Sequence, residues 1–151
     1  RVLVECTLAE VGQPLMTKCQ VKLKGSFGSF RQINEERPGF SLRTKKVIED
    51  QYFHGIAKFQ LNNCAQDTSY LHELIAGEMA RRGGIPASRC THAYVSLNGK
   101  VLGTYVLKEG FDGEFLDAFF ALGFFGAGAG ATTGSGAAST TGATTLFGLS
   151  E

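Results

Sequence analysis

Three groups of residues in this chain are of types and spacings that could do chemistry. The run Gly25-Ser26-Phe27-Gly28-Ser29-Phe30-Arg31 joins glycines, which allow positive φ and close backbone approach, to serine hydroxyls. Backbone N–H groups and hydroxyls in such a loop can cradle a phosphate. The run matches neither G-x-x-x-x-G-K-[ST] nor G-x-G-x-x-G, and a tight strand connection is the plainer reading of the pattern alone. The second group is cationic: Lys22, Lys24, Arg43, Lys45 and Lys46 fall on strands or strand ends near that loop. A polyphosphate needs fixed positive charge, while a solvated sheet face explains the same stripe. Strand alternation aims Arg43 away from Phe40 and Leu42.

The third group is a pair of helix carboxylates. At 100° per residue, Leu71, Leu74, Ile75 and Met79 share one helix face, with Glu78 in its middle and Glu73 on the far side. A carboxylate on a buried face requires a cation, and a helix glutamate that holds a strand lysine or arginine is how protein kinases fix a nucleotide. A surface pair of Glu78 with Arg82 at i+4 is the alternative. Asn62, Asn63 and Asp67 sit at a strand-to-helix junction, where turn formation and capping account for them. His54, His72 and His92 are scattered, with no nucleophile motif beside them. Cys6, Cys19, Cys64 and Cys90 show no C-x-x-C pair and no zinc-site spacing; disulfides in an oxidising compartment and four buried thiols both fit.

These residues need elements to position them. Alternation predicts strands over 2–8, 18–24, 40–45 and 57–61, with turns at Gly12-Gln13-Pro14 and Pro38-Gly39. A helix is expected from Thr68 to Arg82, capped by Asp67 or Ser69 and ended by Gly83-Gly84 and Pro86. Asn98-Gly99 marks a tight hairpin between strands 92–97 and 101–108, and a shorter helical stretch follows over 112–120. Strands in hairpin order with one main helix make an α+β domain built on an antiparallel sheet.

The chain has 151 residues and a net charge of +1, which excludes a polybasic nucleic-acid binder. Of its charged residues, none lies between Ala118 and Ser150, and 24 of residues 121–150 are Gly, Ala, Ser or Thr. Residues 1–120 are therefore expected as one domain and 121–151 as a disordered low-complexity tail. The apolar stretch Ala118–Ala131 is shorter than the ~20 residues of a membrane span. The opening Arg1-Val2-Leu3-Val4-Glu5, with no basic-then-apolar stretch, is that expected of a processed product or excised piece.

Taken in order, Val21-Lys22-Leu23-Lys24-Gly25-Ser26-Phe27-Gly28-Ser29-Phe30-Arg31, Lys58-Phe59-Gln60-Leu61-Asn62-Asn63, Asp67-Thr68-Ser69-Tyr70-Leu71-His72-Glu73, Gly84-Ile85-Pro86-Ala87 and Leu97–Asp112 resemble the spore-coat protein H (CotH) kinase family, particularly its bacterial members outside spore formers. The resemblance covers about residues 18–120. It implies the amino-terminal lobe of a protein-kinase-like fold and a family activity in which ATP, with Mg²⁺ or Mn²⁺, phosphorylates proteins, often secreted or surface ones. Gly25, Ser26, Gly28 and Ser29 would then cover phosphates. The segment from Arg37 to Lys45 would supply a phosphate-binding cation: Arg37, where family members often carry lysine, or alternatively Arg43. Glu73 lies in the family's helix motif, whereas the wheel favours Glu78 as the inward carboxylate. Lys108 and Glu109 would begin the connector to a second lobe, where adenine bonds the backbone. That second lobe carries the family's metal-binding Asp and Asn residues, and the tail here has no Asp, Asn or His. The expectation is a nucleotide-binding portion that does not catalyse transfer alone and self-associates through an exposed lobe face. A non-catalytic surface or coat-like module on the same scaffold is the alternative.

Overall fold

The structure, a computed structural model, describes residues 2–113, 115–117, 120–121 and the strand at 143–149. Seven strands and one helix follow in order: β1 (Val4–Glu10), β2 (Met16–Lys24), β3 (Gly39–Arg43), β4 (Lys58–Asn62), α1 (His72–Arg82), β5 (Cys90–Leu97), β6 (Lys100–Glu109) and β7 (Ala143–Leu149). The strands curl into a closed barrel in the order β1-β2-β3-β4-β6-β5-β7. All ladders are antiparallel except that of β5 with β7. The fold is the expected α+β arrangement of an antiparallel sheet with one main helix. Of the stretch expected as a tail, residues 143–149 are a strand, and the rest lies outside the described residues apart from Ala121.

Alternation puts Cys6 and Leu8, Cys19, Phe40 and Leu42, Phe59 and Leu61, Ala93 and Val95, and Tyr105 and Leu107 in one core inside the barrel. Lys22, Lys24, Gln60, Asn62 and Lys108 alternate with those residues and so belong to the outer face. The hairpin forms as its sequence predicts: Asn98 and Gly99 both take positive φ, 49° and 78°, and so join β5 to β6 by a turn that matches strand twist.

The helix differs from the expectation in two ways. It begins at His72 rather than Thr68, because Tyr70 adopts φ of +60° and Asp67 binds the residues before the helix. Asp67 Oδ1 accepts from Ser69 N, and Oδ2 accepts from His72 N at 2.9 Å. Its apolar face also points outward. Glu73, Leu74, Gly77 and Ala80 are half-buried, while Leu71, Ile75 and Met79 are exposed and no residue of α1 is fully buried. The barrel wall beneath α1 is the polar outer face, so the helix meets it with small and polar residues. Beyond β6, residues 113, 115–117, 120 and 121 are helical, and Asp112 Oδ1 accepts from Phe115 N at 3.1 Å. No helix among the described residues is long and apolar enough to cross a membrane.

Candidate functional site

The glycine–serine loop leaves β2 at Lys24 and returns to β3 at Gly39. Gly25 has φ of +138°, and a Cβ there would lie 2.6 Å from Phe30 Cα, so the turn requires glycine. Ser29 N and Phe30 N both donate to Ser26 O, at 3.1 and 2.9 Å, and Ser26 N donates to Ser29 Oγ at 3.1 Å. The loop is fixed from below by the buried Asn63, whose Nδ2 donates to Ser29 O at 3.1 Å and to Arg37 O at 2.8 Å. At its exit, the buried Tyr105 hydroxyl donates to Pro38 O at 3.0 Å. Buried residues therefore hold the loop at Ser29 and at its exit.

Beside the loop lies a cleft of about 500 Å³ lined by Lys24, Gly25, Ser26, Ser29, Asn62 and Glu73 among others. Lys24 Nζ donates to Asn62 Oδ1, and Asn62 Nδ2 donates to Glu73 Oε1. From the other side, Lys108 Nζ lies 2.9 Å from Glu73 Oε2, an ion pair by distance without hydrogen-bond geometry. Two strand lysines thus flank one helix carboxylate, with an asparagine between. Burial pulls the Lys24 ammonium below the usual lysine range; Glu73 opposes that pull and Lys108 adds to it. A lysine held half-desolvated in a cleft with Ser26 and Ser29 suits an anion, because an anion would replace the lost hydration. Glu73 also lines a second cleft, of about 610 Å³, between α1 and β6, with Ala76, Gly77, Pro86, Lys108 and Phe111.

Gly25, Ser26, Ser29, Glu73 and Lys108 are the sequence candidates that the structure brings together. Gly28 is on the loop, its α-carbon turned toward Gln66, where a Cβ would meet Nε2 at 2.8 Å. Arg43 and Lys45 are not near the loop. Lys24 pairs with Gly39 at the loop end of the β2–β3 ladder, whereas Arg43 pairs with Gln20 at the other, about 13 Å away at 3.3 Å per residue. Lys45 Nζ donates to the Tyr52 hydroxyl at 2.6 Å. Arg37 closes the loop structurally: its guanidinium donates to the Tyr70 hydroxyl and Thr104 O, and lies over the Tyr70 and Tyr105 rings at 5.1 and 5.6 Å.

Glu78 does not face the barrel. The wheel places it among the apolar residues correctly, but that face is outward, and its carboxylate takes Arg81 at 3.0 Å and Arg82 at 2.8 Å. Glu109 is buried in an ion pair with Arg89, at 2.9 and 3.0 Å. Burial raises its carboxyl, and the Arg89 side-chain and backbone bonds outweigh that and hold it below the usual range. The N–H groups of Glu109 and Gly110 donate to Arg89 O and Lys58 O, so those two connector donors are engaged within the protein. Lys24 and Asn62 are in the sequence as a strand-end cation and a turn asparagine; their pairing depends on strand order. The signal that could have joined them is Gly39, a glycine opposite Lys24 that leaves the outer face open between β2 and β4.

Among the described residues, no group of three or more His, Cys, Asp or Glu side chains could hold a metal ion. A family model described as CotH kinase protein matches residues 21–122, more than half of the chain. No curated protein matches the chain.

Proposed function

The chain belongs to the CotH kinase family, and on that premise we propose that residues 1–120 form a nucleotide-binding lobe of kinase-like plan, with 121–151 as an appended segment. Chain order supports the reading. A strand and glycine loop come first (β2, Gly25–Ser29), then two strands, then the helix with its inward glutamate (α1, Glu73), then a hairpin leading to Lys108 and Glu109. Protein kinases hold ATP with a glycine-rich loop over the phosphates and a strand lysine paired with a helix glutamate; here the lysine ends the strand before the loop instead of following it.

The observation that carries the proposal is Lys24, tied through Asn62 to Glu73 beside the loop. Lys24 supplies the charge for the polyphosphate, the Ser26 hydroxyl supplies a donor, and Glu73 holds Lys108 directly and Lys24 through Asn62. Arg37, in place of the family's frequent lysine, closes the loop instead of touching phosphate. The second cleft, with Gly77 and Phe111 on its walls, receives the base. ATP fits this donor set. The divalent metal finds no acidic cluster among the described residues, so the proposed role of these residues is to bind and orient nucleotide, and no transfer step is assigned to them. Protein substrates belong to the family activity that this lobe would serve.

Calorimetric titration with ATP, with and without Mg²⁺ or Mn²⁺, tests the reading on the chain and on Lys24→Ala. Saturable binding that weakens in the variant is expected. Absence of binding at millimolar ATP would overturn it and leave the non-catalytic module as the better description.

A further inference from the structure

Cys6 of β1 and Cys19 of β2 are directly opposed in the antiparallel ladder. Both side chains belong to the barrel core, at 1% and 0% exposure, and both thiols are free. Opposed residues of such a pair hold their Cβ atoms about 4.5–5.5 Å apart, and a disulfide needs about 3.5–4.5 Å, a gap that a small shift of two strands joined by a short turn can close. The ladder is irregular immediately beyond Cys6, between Cys6 and Leu8, where β1 bends and departs from regular pairing. The remaining cysteines have no such relationship: Cys90 is opposite Lys108, and Cys64 follows the end of β4.

We propose that Cys6 and Cys19 form a disulfide when the chain folds in the presence of a glutathione-type disulfide, and that this bond locks β1 to β2. One cysteine, as thiolate, attacks the small disulfide, forms a mixed disulfide and releases one small thiol. The second cysteine, deprotonated to solvent, attacks the protein-bound sulfur and releases the other small thiol. The protein gives up two electrons and two protons, and the small disulfide is reduced to two thiols.

The bond forms during folding rather than afterwards. In the closed barrel, burial pushes the Cys6 thiol up to about 12 and the Cys19 thiol up to about 11, and Cys19 adds to the rise at Cys6. The thiolate is the reactive form, so the folded reduced protein resists oxidation, and burial of both sulfurs keeps external thiols from the bond in the folded oxidised protein. The hairpin records the redox state in which it folded.

The test uses the full chain, denatured and reduced, then refolded in a buffer of reduced and oxidised glutathione. Trypsin cuts after Lys18, between the two cysteines, so a bridge appears in a non-reducing digest as one species joining Val2–Lys18 to Cys19–Lys22. That species is expected in refolded protein and absent from protein exposed to the same buffer after folding. A rise in Tm of roughly 10 °C over protein refolded in reductant is expected for a loop of this length. It persists in the Cys64→Ser/Cys90→Ser double variant, which leaves the hairpin untouched if Cys6→Ala fails to fold. Four alkylatable thiols after oxidative refolding, or linked peptides carrying Cys64 or Cys90 instead, would overturn the proposal.

Discussion

Lys24 and Asn62 meet across Gly39, the one position of the intervening strand with no side chain to put between them. The Lys24 ammonium donates to Asn62 Oδ1 over Gly39, which is opposite Lys24 in the β2–β3 ladder and begins the strand that pairs with β4. The contact links the start of the glycine loop to the helix glutamate two strands away, and every member has a place on the outer face of the barrel.

If that contact supplies the charge for nucleotide, Lys24→Ala weakens ATP binding by about tenfold or more, the scale of one charge-assisted hydrogen bond. Lys22 is two residues earlier on the same face, opposite Ser41, and does not line the loop cleft. Lys22→Ala leaves the affinity within about twofold, a change small against that scale. Equal losses in the two variants would mean that the charge acts only through the general field of the surface.

The depressed Lys24 ammonium gives a pH signature. Its native value is below its unfolded one, so between the two the unfolded chain holds more protons and stability rises with pH. Below the native value the charged lysine is retained at a desolvation cost. A polyanion restores the preference for charge, so ATP binding takes up protons as pH rises through the native value. Titrations in buffers of different ionisation heat measure that uptake, and Lys24→Ala abolishes it. No difference between buffers across the alkaline range would place the anion away from Lys24.

The sequence shows the ladder and hides the cluster. Val4, Cys6, Phe40, Leu42, Phe59 and Leu61 alternate with polar neighbours, and Asn98-Gly99 specifies its own turn; these are local signals with periods of two residues. Lys24 adjoins the loop in the sequence, but that it meets Asn62 depends on β4 pairing beside β3, which alternation alone does not contain. The helix carries the opposite lesson. Its wheel is legible, but which face packs depends on the partner surface, and the outer barrel wall is polar at Lys24, Gln60, Asn62 and Lys108. Glu73 is therefore inward and Glu78 is on the surface, the reverse of what burial of an apolar face predicts.

Gly25→Ala introduces a Cβ 2.6 Å from Phe30 Cα and 2.8 Å from Phe30 N at a φ of +138°. Gly12→Ala meets nothing within 4 Å at φ of +81°, so it carries the cost of positive φ alone, about 1 kcal/mol. Gly25→Ala is expected to lose about 2 kcal/mol or more in urea unfolding. Similar losses at the two positions would show that the loop relaxes around the new methyl group.

Asn63→Ala removes both bonds that hold the loop from below, to Ser29 O and Arg37 O. Leaving two partly buried carbonyls without their donor costs about 1–3 kcal/mol. The cost is local to the loop, so amide exchange at Ser29 and Phe30 accelerates more than at core positions such as Phe59. ATP affinity falls with it, because the donors are no longer fixed before binding. Uniform acceleration across all strands would instead make Asn63 a general core residue.

The exposed face of α1 makes the last prediction. Leu71, Ile75 and Met79 are 44%, 52% and 68% exposed and follow one another at i, i+4 and i+8. Apolar residues at that spacing without a covering surface favour association between copies. Sedimentation velocity on the chain is expected to show a weight-average mass that grows with concentration. Ile75→Lys with Met79→Lys abolishes that growth while leaving Tm within a few degrees, since neither side chain packs on the barrel and surface changes of this kind cost about 0.5 kcal/mol or less. A monomer at every concentration, together with weak binding of a hydrophobic dye, would show that this stripe is too narrow to drive association.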